Sequence, residues 1–190
     1  IDTFLSIEQV IIIGGTGSNR LDASAYTIGS VTIDGGDGND TLLGSAGSDS
    51  LNGGLGDDSN DAGAGNDIAL GGGGRDTING NDGDVTLNSA VTVDGNSTVS
   101  SDNGNVTFLG AVEGDFEFTA DSPTGTVTFI STVGSVAARL SGLDVNAEVL
   151  VLNDDVTTDG TVDLTGTDTV TLGYDLVIDT PAADILFDNN

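Results

Sequence analysis

From Gly35 the chain reads, in blocks of nine, GGDGNDTLL, GSAGSDSLN, GGLGDDSND, AGAGNDIAL, GGGGRDTIN and GNDGDVTLN. Position six is aspartate in the first five blocks: Asp40, Asp49, Asp58, Asp67 and Asp76. Position four is glycine throughout (Gly38, Gly47, Gly56, Gly65, Gly74, Gly83), and position eight holds Leu42, Leu51, Asn60, Ala69, Ile78 and Leu87. So short a strict period points to one kind of fold. Each repeat is too small to bury its own apolar row, so repeats must stack and bury it between neighbours.

The period runs on past the glycine-rich blocks. One inward row reads Ile12, Ile33, Leu51, Ala69, Leu87, Phe108, Phe129, Leu152 and Leu172, with steps of 18 residues in the middle and 20–23 in the flanks. An opposite row reads Leu21, Leu42, Asn60, Ile78, Val99, Phe118, Leu140 and Val162. VTLNSAV at 85, VTFLGAV at 106 and VTFISTV at 127 repeat every 21 residues, as do VIIIGGTG at 10 and VTIDGGDG at 31. Within each segment apolar and polar residues alternate, as in Val106-Thr107-Phe108, which is the period of a strand. The fold predicted is therefore all-β: one continuous parallel β-helix or β-roll solenoid. Its parts are N-terminal coils over 1–34, glycine-aspartate coils over 35–88 and wider coils over 89–190.

Composition sharpens the question. Against 31 acidic residues stand only Arg20, Arg75 and Arg139, a formal charge of −28. That leaves no electrostatic footprint for nucleic acid and no attraction to an anionic membrane. With neither histidine nor cysteine, the commonest general base and the thiolate sites are gone, and catalysis by this segment is not expected. Few aromatics, high charge and abundant glycine are by themselves a signature of disorder. Stacking would place Asp40 against Asp58, Asp58 against Asp76 and Asp49 against Asp67, with coils about 4.8 Å apart. Each pair repels by roughly 1 kcal/mol in a water-like medium and about 3.5 kcal/mol at an effective dielectric of 20. A bare stack is thus expected to be unstable, and a hard cation held by carboxylates and carbonyls reverses the sign. Glycine at positions one, two and four is expected to allow positive φ and aim carbonyls inward. Magnesium fits less well because it holds its waters, and softer metals find no ligands.

The blocks follow G-G-x-G-x-D-x-U-x, and over Gly35 to Asn88 the sequence resembles the RTX family of haemolysin-type calcium-binding repeats. That resemblance implies a parallel β-roll of 18-residue coils, two nonapeptides each, with several calcium ions between coils. The ligands it implies are Asp40, Asp49, Asp58, Asp67 and Asp76, with the turn carbonyls of Gly36, Gly38, Gly47, Gly54, Gly56, Gly65, Gly72 and Gly74. The edge positions Asn19, Asp82 and Asp84 join them as candidates in blocks that depart from the motif. The later coils, by V-T-F and coil length, resemble filamentous-haemagglutinin-like surface proteins. Because the ion binds only folded turns, at least Gly35 to Asn79 is expected to be disordered without calcium and to fold at about millimolar calcium.

Other features point elsewhere less strongly. Glu113, Asp115 and Glu117 alternate on one strand, but no basic or aromatic group accompanies them, and a solvated acidic face is expected. Thr165, Thr167, Thr169 and Thr171 lack the neighbouring T-x-T rows of an ice-binding face. Gly71 to Gly74 lacks the Lys-Ser/Thr of a phosphate loop, and Asn39, Asn96 and Asn105 open N-x-S/T triplets in turns. Asn60 faces the core and needs a hydrogen bond.

No signal segment is apparent, and nothing nears 18 consecutive apolar residues. The start at Ile1 rather than Met suggests an excerpt or a processed product. The expected function is a non-enzymatic, calcium-stabilised segment of an extracellular bacterial surface, matrix, adhesin or filament protein, with end-to-end self-association or continuation into further coils. A cell-surface or glycan partner would suit it; nucleic acid and membrane insertion would not. The alternative is the calcium-binding accessory region of a secreted protease, lipase or polysaccharide-modifying enzyme exported by a type I system, with its active site elsewhere.

Overall fold

The computed structural model describes residues 9–87, 90–93, 95–164, 166–173, 176–181 and 184–187. Asn88, at the end of the repeat segment, and Thr165, in the threonine run, lie outside them, as do Ile1 and residues 2–8 of the N-terminal segment. Among the described residues every paired strand is parallel, and no helix is long and apolar enough to cross a membrane.

The chain winds as a solenoid with two long walls. The first is built of Gln9–Gly15, Ser30–Asp37, Ser50–Leu55, Asp67–Gly73, Val85–Leu87 and Val106–Phe108, then the later part of Glu117–Phe129, the later part of Gly142–Leu152, and Thr169–Leu172. The second is built of Arg20–Asp22, Thr41–Leu43, Ser59–Asp61, Thr77–Asn79 and Ser97–Ser100, then the earlier parts of the same two long strands and Val162–Leu164. Glu117–Phe129 runs from the second wall to the first in one strand, with a register shift against its neighbour between Ser122 and Thr126.

From residue 91 onward the cross-section gains a third wall. Val91–Val93 pairs with Val112–Gly114, Val112 bridges to Val133 and Val133 to Val156, and Val156–Thr157 pairs with Ile178–Asp179. After Leu87 this extra side accompanies a lengthening of the coil from 18 residues to 20–23 along the first wall, whereas the 21-residue coil from Ile12 to Ile33 is two-walled. The core follows the widening. Leu42, Leu51, Ala69 and Ile78 fill the two-walled part, whereas Phe108, Phe118 and Phe129 fill the three-walled part, all fully buried. Phe108 stacks on Phe129 with centroids 4.6 Å apart and meets Phe118 edge-on at 5.5 Å.

The first row keeps the register the spacing predicts: Ile12 pairs with Ile33, Ile33 with Leu51, Leu51 with Ala69, Leu87 with Phe108, Phe108 with Phe129, Phe129 with Leu152 and Leu152 with Leu172, but Leu172, expected to face inward, is exposed. The second row needs a correction after Val99. Val99 pairs with Ala120 and Ala120 with Val145, while Phe118 pairs with Ser97 on one side and Leu143 on the other; Leu143 then pairs with Val162. Residues two apart on a strand share a face, so Phe118 and Ala120 both point inward and side-chain size alone selects the wrong one. Leu140 is buried but bridges Thr158. Asn60 is buried in its row; its amide donates to the Leu70 carbonyl across the coil at 2.8 Å, not along the stack.

Phe129→Ala, which removes the ring stacked on Phe108, is expected to cost about 3–5 kcal/mol in urea unfolding with calcium present. Leu109→Ala, at a half-exposed position, is expected to change stability by less than about 0.5 kcal/mol in the same titration.

Candidate metal centre

The pairing of Thr41 with Ser59 and Ser59 with Thr77 puts Asp40, Asp58 and Asp76 one above another where the turns enter the second wall. On the opposite edge Ser50 pairs with Ile68, and Asp49 and Asp67 stand in the same relation. All five are buried, between 1% and 6% exposed. Each uses Oδ1 as a bracket between coils, accepting a main-chain N–H from the coil before. Asn19 N–H donates to Asp40 at 2.7 Å, Asp40 N–H to Asp58 at 2.7 Å and Asp58 N–H to Asp76 at 3.0 Å. Val31 N–H donates to Asp49 and Asp49 N–H to Asp67, both at 2.8 Å. Amide-to-carboxylate bonds of this kind are among the stronger ones available to a main chain.

The second oxygen divides the five. Oδ2 of Asp40, Asp58 and Asp67 is buried with no hydrogen-bond partner. In Asp49 it is taken by Ser45, which replaces the position-two glycine and donates its N–H at 2.5 Å and its hydroxyl at 3.0 Å. The departure of GSAGSDSLN from the glycine pattern was the signal for this residue, and motif matching passed over it.

The glycines serve two purposes. Positions two and four hold positive φ, from +94° to +128°, at Gly36, Gly38, Gly54, Gly56, Gly63, Gly65, Gly72 and Gly74. Position one does not, contrary to the expectation from the motif. Gly35 and Gly53 are needed there because a β-carbon would overlap the neighbouring aspartate Oδ2 and the position-one carbonyl of the next coil. Gly47 likewise has no positive φ; a β-carbon on it would lie 2.6 Å from the Gly29 carbonyl.

The edge candidates are placed differently. Asn19 turns its side-chain amide onto the Gly17 carbonyl of its own turn. Asp84 Oδ1 accepts both the main-chain and side-chain N–H of Asn105 at 2.8 Å, and Asp82 Oδ1 accepts from Asn103 at 2.6 Å. These are exposed coil-to-coil ladders at positions five and three, outside the buried column. A similar ladder at position five, unforeseen from the sequence, runs through Asn39, Asp57 and Arg75, where each side-chain oxygen takes the next coil's N–H.

A buried anionic oxygen without a donor costs several kcal/mol unless a cation or proton meets it. Among the described residues no three His, Cys, Asp or Glu side chains converge to hold a metal. A cation at these turns would need carbonyl oxygens beside the carboxylates. The unpartnered carboxylate oxygens beside glycine turns fit a hard, oxygen-seeking cation.

The model of the RTX calcium-binding nonapeptide repeat, in four copies, matches residues 32–60 and 61–84. Residues 32–84 are RTX calcium-binding repeats. No curated protein and no solved structure matches the chain. The RTX segment lies within the two-walled part of the solenoid and contains the three buried carboxylate oxygens that have no partner among the described residues.

Burial pushes the carboxyl groups of RTX residues Asp58 and Asp67 up to about 6. The Asp40 N–H opposes this at Asp58 and the Asp49 N–H at Asp67, while the charges of Asp76, Asp40 and Asp57 add to it at Asp58 and that of Asp49 at Asp67. Away from the RTX turns, Asp144 is also raised, by partial burial and then by Asp163, Glu117 and Asp121. Of the three alternating acids, Glu117 accepts from Asn96 at 3.3 Å on an exposed ladder.

Two outcomes are expected. Gly54→Ala puts a β-carbon at φ +110° against the Gly36 carbonyl; it is expected to destabilise the RTX coils by about 1–3 kcal/mol or more, whereas Gly15→Ala, with open space around it, leaves the thermal midpoint nearly unchanged. The second concerns acid. A carboxyl whose folded value exceeds its unfolded one stabilises the fold below the unfolded value, and that contribution is lost as pH rises through the folded value. In chelator, the far-ultraviolet β signal of the RTX coils is therefore expected to grow as pH falls from 7 through about 6 towards 4; a flat or falling signal contradicts this.

Proposed function

We propose that this chain is a calcium-stabilised structural segment of an extracellular bacterial protein, a rod whose RTX coils become rigid where calcium is plentiful. The observation that carries the reading is the set of buried, unpartnered Oδ2 atoms of Asp40, Asp58 and Asp67 inside the RTX turns. These residues would hold the ion, together with turn carbonyls at positions such as Gly36, Gly38, Gly54, Gly56, Gly65, Gly72 and Gly74. Asp76 and Asp49 would contribute at the column ends, Asp49 less because Ser45 already occupies its second oxygen. Bound calcium supplies the positive charge that lets stacked carboxylates approach, so its binding free energy becomes folding free energy.

The chain's own residues do the rest. Oδ1 of each aspartate fixes the spacing of coils through main-chain amides, and the glycines keep that column free of β-carbons. A cytosol holds too little calcium to fill sites of the extracellular class, which bind at about 10⁻⁴–10⁻³ M. The rod would then fold after export. Among the described residues the walls end on Gln9–Gly15 and Arg20–Asp22 at one end. Strand edges of this kind favour further coils or a second copy stacked end to end.

The test is far-ultraviolet circular dichroism during a calcium titration of the whole chain, reversed with chelator and repeated with magnesium. A gain of β signal with calcium at about millimolar levels, lost on chelation and much weaker with magnesium, is expected. The same spectrum with and without calcium at neutral pH would overturn the reading.

A further inference from the structure

Resting on the calcium reading above, we propose that calcium dependence stops at the step from Asp76 to Ser97, because beyond it hydroxyl, amide and guanidinium donors occupy the role left to the ion upstream.

Ser97 is the next member of the column Asp40, Asp58, Asp76. Its hydroxyl oxygen accepts the Asp76 N–H at 3.2 Å, as Asp76 accepts that of Asp58, but it then donates its own hydrogen to the Gly95 carbonyl at 2.9 Å. The bracket between coils is kept with no charge. On the other edge Ser101 follows Gly44, Ala62 and Gly80 in the stack. It is fully buried, with Oγ 3.0 Å from the Asn81 carbonyl and 2.9 Å from that of Gly83 while accepting the Gly104 N–H. One coil on, buried Ser122 donates to the Gly104 carbonyl at 2.7 Å.

Several downstream carboxylates are met in the same way, although half-buried Asp144 faces Asp163, Glu117 and Asp121. Asn146 donates to Asp121 at 2.8 Å. The Arg139 guanidinium, with a mostly buried side chain, lies 3.6 Å from Asp159 and 2.8 Å from Asp179 on the coil after it, and it also donates to the Thr158 carbonyl. A fixed cation there joins successive coils as a divalent ion would. Among the described residues, the buried carboxylate oxygens with no partner all lie at or before Asp67.

Hydrogen–deuterium exchange read by mass spectrometry on the whole chain tests this, in calcium and in chelator. Amides of residues 31–79 are expected to lose at least about tenfold protection in chelator, while those of 97–164 stay within about threefold of their calcium values. Loss of protection in both regions would overturn this inference and leave the calcium reading standing. Protection kept in both regions would overturn the calcium reading and the boundary with it. A variant separates a hydroxyl that replaces an ion from one that merely fills space. In Ser97→Asp, protection of residues 97–100 is expected to vanish in chelator and return in calcium; protection equal in the two buffers, high or low, counts against the exchange of hydroxyl for ion.

Discussion

Buried carboxylates of like charge, repeated at every turn of a parallel stack, are the constraint around which this molecule is arranged. The apolar rows can close only if coils approach to strand spacing, and that approach brings Asp40, Asp58 and Asp76 into one buried column and Asp49 and Asp67 into another. Half of each carboxylate is satisfied by the geometry that creates the problem, since Oδ1 takes a main-chain amide from the coil before. The other half is left over in Asp40, Asp58 and Asp67. A chain with three arginines and no lysine has few cations of its own to offer, and two of the three form exposed pairs, Arg20 with Asp22 and Arg75 with Asp57. Exposed pairs of that sort contribute little.

The change in cross-section and the change in turn chemistry occur together. In the RTX coils, where the solenoid has two walls, the corners are tight glycine turns packed carbonyl against glycine, and the core is aliphatic. Where a third wall enters at Val91, corners lose the glycine-aspartate pattern, serine hydroxyls enter the turns, and phenylalanines fill the broader interior. A wider coil has more apolar surface to bury, and on that ground it would depend less on what its corners bind.

How much was legible can be judged residue by residue. The strand period and the 18- and 21-residue steps were enough to set the parallel stack, the first inward row and the facing of the position-six aspartates, because a solenoid repeats one local decision at every coil. The second row slipped at Phe118, where two residues on one face competed and the bulkier was preferred to the one at the right step. Ser45 was marked only by a break in the glycine pattern, and Ser97, a serine outside the nonapeptide blocks, carries no periodic signal. Position-one glycine was expected for the wrong reason: its backbone is ordinary, and the limit is the carboxylate packed against it.

The sequence by itself determined that the chain stacks, which residues recur in each column and that acidic side chains meet there, since spacing along the chain becomes register across the stack. Tertiary structure alone decided which carboxylate oxygens are left without a donor. That depends on how one turn folds Ser45 back onto Asp49 and on where an amide of the coil before comes to lie, and those distances are set by packing, not by spacing along the chain. The same holds for the third wall, whose short valine strands around Val112 and Val156 acquire a common face only once the coils beneath them are in place.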